Sequence, residues 1–591
     1  MPVIPQATGV HARSRRRLSA SSLVTWERCK RDWFLTRRLG LRVPTHPEML
    51  LGHIAEEAVT AIWMERPQAS RLAGDSSWVS NDASEEMNID SLSDLSDWLR
   101  TLMRTIVDEM RRQLEENWDN CLWKAEGRSI SDIKREKLNA MVKNAVKLQI
   151  AEANECLEAN GGPHLEAFRN GGDPFGTPAP CWGGDTHWQA EGEPCTWWEA
   201  WEIARPWAKD PRIHTAQRLF HPDGWAAGEL DVAHRWRGTV HIIDIKANRG
   251  HGRDHSGVAY QLRFYHWLWH ETRRHESKPS NRVEEGPVES LKSWHLADGF
   301  VHTASLLTDL EAETSRLFEV QKQMGSVNIS DLHLDAEEPS TDNSLGCSVC
   351  HGLQTCDYPR GGQEQPLHQL IPTTDIQPAG PPFTAIADMP SRVTVKGSIH
   401  GHWGPMPNHY GDAVIGAAIT AGGKTSVIEE MGVGQFPNLT DFSNEYIIQN
   451  AAPGQWRGMI RLYLDADSEI IPPDSDVQID RLGLIPTRAN VSGIVISRGE
   501  NSGINAKGRP WSLSAVHIWD GTALTEVVAF GRGRSESFDN LRVGDRIRLM
   551  AAEIGWREGT PQLRIDPRNT RLTVDSAPPG LEEDQTQTPP E

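Results

Sequence analysis

Two short motifs bring acidic and basic side chains close together near the middle of the chain. Gly228-Glu229-Leu230-Asp231 precedes a β-rich run that ends in Asp244-Ile245-Lys246. Successive side chains of a strand point to opposite faces, so Asp244 and Lys246 share a face, and an antiparallel neighbour can bring Asp231 beside them. Carboxylate oxygens suit Mg²⁺ or Mn²⁺, which polarises a phosphodiester and lowers the pKa of a bound water. Lys246 can then orient that water or offset charge on the phosphate.

A third motif follows on a predicted helix over residues 257–276. Gln261 and Tyr265 are four residues apart, so they share a helix face and can both reach the site or a nucleic-acid backbone. The β-rich runs 228–233 and 239–246 are separated by a short turn, which predicts a hairpin. Each motif alone is common on protein surfaces, and the specific signal is their order of strand, strand and helix.

These motifs, in this order, resemble the RecB-like branch of the PD-(D/E)XK nuclease superfamily over residues 19 to about 358. The resemblance implies an α/β restriction-endonuclease-like core with helical insertions. It also implies metal ligation by Asp231, Asp244 and the carbonyl of Ile245. Catalytic roles for Lys246 and for the glutamine and tyrosine of the third motif follow from the same resemblance.

The chain departs from this family at one metal position. The family usually has a His four residues after a helix glycine, whereas Gly52 is followed at that distance by Glu56, with His53 nearby. We favour Glu56 as the ligand because Mg²⁺ prefers oxygen. His53 would face a different side of the helix.

Three cysteines, Cys347, Cys350 and Cys356, form a Cys-x₂-Cys-x₅-Cys group that is one thiolate short of four. The segment around Cys29 resembles the opening helix of iron–sulfur RecB-like nucleases, such as CRISPR-adaptation exonucleases, AddB subunits and the Okazaki-processing helicase–nuclease. The resemblance implies a [4Fe–4S] cluster on these four cysteines, which would tie the first helix to the end of the domain. A zinc site on the same cysteines, or with His351 as fourth ligand, is the alternative.

Helical periodicity predicts helices over 19–39, 48–66 and much of 88–158. Residues 160–197, rich in Gly, Pro and Trp, are predicted to be an irregular insertion. The insertion leaves one further metal possibility open, at Cys181, His187 and Cys195.

Changes of composition along the chain predict the domain boundaries. The predicted segments are a flexible basic arm at 1–18, the nuclease domain with its iron–sulfur staple at 19–358, a linker at 359–388, a β-rich and possibly degenerate OB-fold at 389–484, an OB-fold at 486–574 and a disordered acidic tail at 575–591.

Residues 486–574 resemble the OB-fold of replication protein A, especially in Gly544-Asp545 before the fourth predicted strand. The resemblance implies a single-stranded nucleic-acid ligand, with aromatic rings for stacking and arginines for phosphate. For each aromatic residue a place in the barrel core is the alternative. The candidates are Trp511, Trp519, Phe530, Trp556, Arg498, Arg532, Arg534 and Arg557.

The bulk composition sets limits on function. A chain of 591 residues is too long for one hydrophobic core, so several domains are expected. Its net charge of -20 argues against a protein that coats nucleic acid, but it leaves a local basic groove or a metal-mediated site open. With no membrane-length apolar run and no signal-peptide pattern, we expect a cytoplasmic protein without a membrane partner. The sequence has no Walker-type motif, so any helicase partner would be a separate polypeptide.

The sequence therefore predicts a metal-dependent DNA nuclease acting on single strands, ends or flaps, as an exonuclease or a flap-processing enzyme in DNA repair, recombination or replication. Two alternatives stay open. A catalytically inactive single-strand-binding protein is favoured by the glutamate at the usual histidine position. An RNA-processing nuclease is the other, because OB-folds also bind RNA.

Overall fold

The computed structural model describes residues 17–41, 44–64, 92–121, 124–125, 127–169, 194–195, 197–208, 218–274, 286–326, 379–407, 413–431, 436–440, 444–456, 459–465, 468–504, 510–531, 534–557 and 560–575. These residues divide into two units. The first takes in the described residues of 17–24 and 44–318, and the second those of 25–43 and 319–591.

Helices make up much of the N-terminal half of the chain. The α-helices in chain order are α1 Ala20–Arg28, α2 Lys30–Trp33, α3 Pro47–Met64, α4 Leu92–Asp119, α5 Arg135–Glu158, α6 Leu165–Arg169, α7 Trp197–Ile203, α8 Ser256–Arg274, α9 Leu310–Ser326 and α10 Glu536–Asp539. Helix α2 continues as a π-helix over Phe34–Arg38, so the predicted helix 19–39 is three shorter pieces.

The first unit is built on a mixed sheet of five strands in the order β1-β4-β5-β6-β7, with a separate β2-β3 pair. Its strands are β1 Trp207–Ala208, β2 Arg218–Phe220, β3 Ala227–Glu229, β4 Val232–His234, β5 Val240–Lys246, β6 Val288–His295 and β7 Phe300–Ala304. Strand β5 is antiparallel to β4 and parallel to β6, and helix α8 makes the crossover between β5 and β6. The hairpin and the following helix of the sequence analysis are therefore present.

The predicted strand over 228–233 is broken at Leu230 and Asp231. Residues before the break pair with β2, and residues after it pair with β5. The break is explained by a contact with the neighbouring strand, because the Asp231 side chain accepts the backbone N–H of Ile245 at 2.9 Å. A side chain thus takes a strand donor that a neighbouring backbone would otherwise have satisfied.

The two faces of β5 have different environments. Ile243 and Ile245 point into a hydrophobic core that also contains Val59 and Trp63 of α3 and residues of α4 and α5. Strand alternation therefore puts Asp244 and Lys246 on the opposite face. The helices that cover Ile243 and Ile245 therefore leave the opposite face of β5, with Asp244 and Lys246, for the candidate site.

The second unit contains two five-stranded barrels. The strands are β8 Val393–Pro407, β9 Ala413–Ala421, β10 Lys424–Met431, β11 Glu445–Trp456, β12 Met459–Leu464, β13 Glu469–Ile471, β14 Arg488–Ile504, β15 Pro510–Trp519, β16 Leu524–Phe530, β17 Arg546–Arg557, β18 Thr560–Arg564 and β19 Arg571–Asp575.

Both barrels have the strand order of an OB-fold. In the second barrel the order is β14-β15-β16-β18-β17, closed by β17 on β14, with β16 and β18 parallel. The first barrel repeats it as β8-β9-β10-β12-β11, closed by β11 on β8, with β10 and β12 parallel. The region predicted as a possibly degenerate module is thus as complete in topology as the one after it.

Two local features of the second barrel stand out. Strand β17 continues through Ala551, where φ is 57° and the pairing with β14 shifts register. The end of the predicted linker and the first residue of the module predicted after it join the second barrel, since Ile386 and Met389 lie in its core and Ile386 N–H donates to Asp520.

In the described part of the chain, no helix has the length and apolar character needed to cross a membrane.

Candidate active site and nucleic-acid interface

Strand β5 places an acid and a base next to each other on its free face. Asp244 is buried, and its Oδ2 lies 2.6 Å from Lys246 Nζ. Lys246 keeps about a quarter of its side chain exposed, at 25%. The ammonium group thus connects a buried carboxylate to the solvent side of the site.

Asp231 completes a pair of carboxylates. Val232 pairs with Ile243, so the residue before it lies opposite Asp244. The hydrogen bond from Ile245 N–H holds the Asp231 carboxylate against β5. The structure therefore brings together the two acids and the lysine that the sequence singled out.

Burial and mutual repulsion make these acids hard to ionise. Burial raises the pKa of Asp231 well above its usual range, and the charges of Asp244 and Glu56 raise it further. Burial also raises the pKa of Asp244, against the opposing effect of Lys246. Burial alone would lower the pKa of Lys246, but the two aspartates outweigh it and raise that pKa. One ammonium does not offset two adjacent carboxylates, so the site favours an additional cation.

The third motif reaches the same site from α8. Lys246 Nζ donates to Gln261 Oε1 at 3.3 Å, and Gln261 Nε2 donates to the Tyr265 hydroxyl oxygen at 3.2 Å. Tyr265 is buried, and burial and Asp231 raise the pKa of its phenol. Gly228 allows this approach, since a Cβ there would lie 3.1 Å from Tyr265 Cε1. The glutamine thus links the lysine to a neutral tyrosine.

Glu56 and His53 lie differently on α3. Glu56 is half-buried, and its charge acts on Asp231, Lys246 and Tyr265. His53 is exposed. Of the two, the glutamate is the residue electrostatically connected to the site.

The donor set partly fits a divalent cation. Asp244 Oδ1 is buried and accepts no hydrogen bond from the described residues, which leaves a lone pair available to an ion. However, among the residues that the structure describes, no three His, Cys, Asp or Glu side chains are close enough together to form a preassembled metal site. The residues present fit an ion held mainly by two carboxylates, with Glu56 needing to move inwards. The Ile245 carbonyl stays a predicted ligand.

Sequence analysis missed the residues on the neighbouring strand. His295 of β6 is the register partner of Lys246. Its ring is held by Asn248 Oδ1 at 2.8 Å and Ser293 Oγ at 3.2 Å. Burial and the neighbouring His255 lower the pKa of His295 to about 4. The signal available in the sequence was the pair of histidines, His295 and His302, in the segment after α8.

The proposed iron–sulfur ligands are only partly within the described residues. Cys29 is half-buried and accepts the backbone N–H of Asp32 at 3.5 Å. Cys347, Cys350 and Cys356 lie outside the described residues, as do His351, Cys181 and His187. Cys195 is buried, and burial and Glu199 raise the pKa of its thiol to about 12. That environment disfavours the thiolate that binds metal.

Two of the predicted base-stacking residues are exposed on the second barrel. Trp511 is 41% and Phe530 is 44% exposed. Leu513 pairs with Phe530, and Trp511 lies two residues before Leu513, so both aromatic rings are on one face of the barrel. Trp519, further along the same strand, is half-buried. At that end His517 is buried and donates from Nε2 to Leu39 O at 2.8 Å.

Two of the arginines predicted to contact phosphate have partners within the protein. Arg498 donates to the carbonyls of Leu541 at 2.8 Å and Asp539 at 2.9 Å, so its guanidinium serves the barrel. Arg534 pairs with Glu500 and Asp539. The phosphate contacts of these two arginines stay predictions, and in the structure both guanidiniums are held by groups of the barrel.

Trp556, which the sequence analysis predicts to stack on bases, lies at a contact between the barrels. It stacks on Tyr463 of the first barrel, with ring centroids 6.4 Å apart and planes at 12°. Arg392 lies over its ring at 5.5 Å. Arg532 and the Arg557 side chain lie outside the described part.

No protein-family model matches the sequence, and no curated protein matches it. Several solved structures align with parts of the chain. A murine DNA-binding protein bound with double-stranded DNA has a TM-score of 0.12 and 16% identity, over 31% of this chain and 99% of that one.

A replication protein A heterotrimer bound to single-stranded DNA has a TM-score of 0.14 and 14% identity, over 34% of this chain and 53% of that one. An OB domain from Thermoplasma acidophilum has a TM-score of 0.14 and 19% identity, over 17% of this chain and 84% of that one. Scores this low have no bearing on the activity of this chain, and the OB-like barrels are assigned from their strand order alone.

Proposed function

We propose that this chain is a metal-dependent nuclease that hydrolyses phosphodiester bonds of single-stranded DNA, DNA ends or flaps. The observation that carries the proposal is a pair of adjacent carboxylates beside Lys246, the buried Asp244 of β5 and the half-buried Asp231 just before β4. Two adjacent acids, one of them buried, are costly to fold, and a bound divalent cation would offset that cost. The same ion, when bound, polarises a phosphodiester and lowers the pKa of a water.

The residues around the carboxylates have separate roles in this proposal. Asp231 and Asp244 would hold the cation, with Glu56 as the third side-chain ligand. Lys246 orients the attacking water and offsets charge that develops on the phosphate. Gln261 fixes the position of the ammonium, and Tyr265 fixes Gln261 through their hydrogen bond.

In this proposal the OB-like barrels bind the single-stranded substrate. Trp511 and Phe530 offer exposed aromatic faces on one side of the second barrel, and bases of any sequence can stack on such faces. Binding there raises the local concentration of the strand for the catalytic site. A single strand suits this arrangement because its bases are unpaired.

The iron–sulfur cluster is a separate part of the proposal. It rests on the cysteine pattern and on the resemblance to iron–sulfur nucleases, with Cys29 as the member that the structure describes. A cluster on Cys29, Cys347, Cys350 and Cys356 would have a structural role. Iron and sulfide content after anaerobic purification, compared with zinc content, separates the two forms of the site.

A second candidate function is single-strand binding without cleavage. The absence of a preassembled three-ligand group among the described residues favours it. In this candidate Asp231 and Asp244 have no catalytic role, and the barrels bind the single strand. It predicts tight binding that is indifferent to Mg²⁺ and Mn²⁺.

The test is cleavage of end-labelled substrates by the anaerobically purified chain with Mg²⁺ or Mn²⁺. The substrates are single-stranded DNA, duplex DNA, a flap and RNA of the same sequence. Native protein is compared with Asp244→Asn and with Asp119→Asn, a matched change at an exposed residue of α4. We expect metal-dependent cleavage of single strands that disappears only in Asp244→Asn.

Other outcomes have definite meanings. Preference for the RNA substrate would move the proposal to RNA processing. Tight binding by all three proteins without cleavage of any substrate would replace the nuclease with the binding protein.

A further inference from the structure

Five aromatic rings lie beside the candidate active site on the same face of the sheet. Strand register places His295 next to Lys246 and Phe300 next to His295. The preceding row runs in the same way from Asp244 of β5 to His302 of β7. Residues paired across strands point to the same face. We call the group the ring cluster; its members are His251, His255, His295, Phe300 and His302.

The rings of the cluster stack on one another. His255, just before α8, is nearly parallel to His302 at 4.5 Å and 17°, and to Phe300 at 5.4 Å and 18°. His251 contacts Phe300 at 4.5 Å, and His255 meets His295 at 5.0 Å. The cluster is therefore a continuous aromatic surface that begins at the strand next to Lys246.

A loop between β5 and α8 is held over this surface. The Asp298 carboxylate accepts the backbone N–H groups of Gly250 at 3.0 Å and His251 at 3.2 Å. Gly250 sits against the rings, since a Cβ there would lie 2.2 Å from Phe300 Cδ1. The loop thus has a fixed conformation directly after the catalytic strand.

The outer side of this loop is exposed. It carries Arg249, Arg253 and one acid, Asp254, whose carboxylate accepts hydrogen bonds from Ser256, and the His251 side chain is 72% exposed. Phe300 and His302 are half-buried, so part of each ring faces solvent. In a chain with a net charge of -20, two exposed guanidiniums next to aromatic rings form a local site for an anion with a flat group attached.

We propose that the ring cluster, with Arg249 and Arg253, is a subsite for unpaired nucleotides next to the scissile phosphate. The bases stack on the solvent-facing parts of His251, Phe300 and His302, and the arginines bind the adjoining phosphates. The inference rests on the proposed nuclease function and adds a substrate class, because paired bases cannot offer their faces to the rings.

Photo-crosslinking tests the placement without requiring activity. The full-length Asp244→Asn protein is irradiated with a short oligonucleotide in which every base is 5-iodouracil, and the adducts are mapped by mass spectrometry. We expect adducts on residues 249–255 or 300–302 in addition to those on the barrels. Adducts on the barrels alone would overturn the subsite.

Kinetics test its contribution. Arg249→Ser with Arg253→Ser, and separately His251→Ser with Phe300→Leu, are compared with Arg104→Ser with Arg128→Ser, which removes the same charge from other exposed positions. Loss of stacking or phosphate contacts should raise KM for a short single strand by roughly 5- to 100-fold while kcat changes by less than about 3-fold. The control pair should change neither value.

The outcomes separate this inference from the proposed function. If native protein cleaves and both subsite pairs match the control pair, the subsite is wrong and the nuclease stands. If native protein cleaves nothing, the nuclease is wrong, and the crosslinks alone decide whether the ring cluster binds nucleotides.

Discussion

At the scale of single residues, the candidate site depends on one lysine between two acids. Lys246→Met removes the ammonium 2.6 Å from Asp244 and leaves two adjacent carboxylates without a neighbouring cation. We expect cleavage to fall by about 10²-fold or more, as when other transition-state electrostatic contacts are removed. The metal-free protein should also melt at a lower temperature at neutral pH.

The measurement is kcat together with the melting temperature of the metal-free protein. Gln261→Leu serves as a comparison, since it removes the ammonium's partner but keeps the charge. It should cost less activity than Lys246→Met. Cleavage by Lys246→Met at nearly the native rate would rule out the role given to the lysine.

A second residue-scale prediction concerns pH and a buried histidine. Burial lowers the pKa of His234 from 6.5 to about 4. Burial opposes ionisation of Glu152, but His234 and Arg237 outweigh it and lower the pKa of Glu152 from 4.5 to about 2. Both groups have depressed folded-state pKa values, so their stability is present at neutral pH and is lost as the pH falls.

Unfolding by urea should therefore show a loss beginning near pH 6.5 for the histidine and continuing below pH 4.5 for the glutamate. The histidine part is on the order of 3 kcal/mol. His234→Gln, which does not titrate, should reduce the loss in the upper part of the profile to that caused by other buried histidines such as His266 and His295. It should also reduce the loss below pH 4.5, because Glu152 no longer has the His234 charge that helps to lower its pKa. An unchanged profile above pH 4.5 would show that His234 is not the group responsible.

At the scale of elements, the contact between the barrels includes the stacked rings of Trp556 and Tyr463, with Arg392 over the Trp556 ring. Trp556→Ala removes the stacking on Tyr463 and the Arg392 contact, which together are worth about 1–2 kcal/mol. We expect the barrels to melt a few degrees lower, with single-strand affinity within about twofold of native. Calorimetry measures the melting temperature, and fluorescence anisotropy measures the single-strand affinity. A large loss of affinity would show that Trp556 belongs to the nucleic-acid-binding surface.

Elements also show what local sequence could predict. The sequence predicts that Asp244 and Lys246 share a face, because this follows from the two-residue period of one strand and requires no knowledge of the rest of the fold. The break at Asp231 was not predictable, since the Ile245 N–H that it accepts belongs to another strand. The hydrogen bonds of Arg498 were not predictable for the same reason, because the carbonyls of Asp539 and Leu541 that accept them lie more than forty residues away in the chain.

At the scale of the whole molecule, capture of the strand and its hydrolysis have separate locations in the proposal. Trp511→Ala with Phe530→Ala should weaken single-strand binding by roughly 5- to 100-fold, because each base–aromatic stack contributes about 1–3 kcal/mol. It should raise KM and leave kcat close to native. Trp519→Ala, at a half-buried position of the same strand, is the comparison. A fall in kcat with KM unchanged would contradict the division of roles.

The domain plan was only partly accessible from sequence. The second barrel was predicted from clear hairpin turns and Gly544-Asp545, whereas the first has the same strand order with weaker turn signals. Barrel closure pairs strands far apart in the chain, such as β8 with β11, and no local pattern records that pairing. Similarly, the ring cluster exists only because β5, β6 and β7 are adjacent.

The most direct test of the central claim is to measure Mn²⁺ binding and single-strand cleavage on the same anaerobic preparations. Native protein is compared with Asp231→Asn, Asp244→Asn and the exposed control Asp119→Asn. We predict that Mn²⁺ binding and cleavage are lost together in the first two variants and are unchanged in the third. Cleavage that survives in Asp244→Asn, or native protein that binds Mn²⁺ at these acids and cleaves no nucleic acid, would contradict the account.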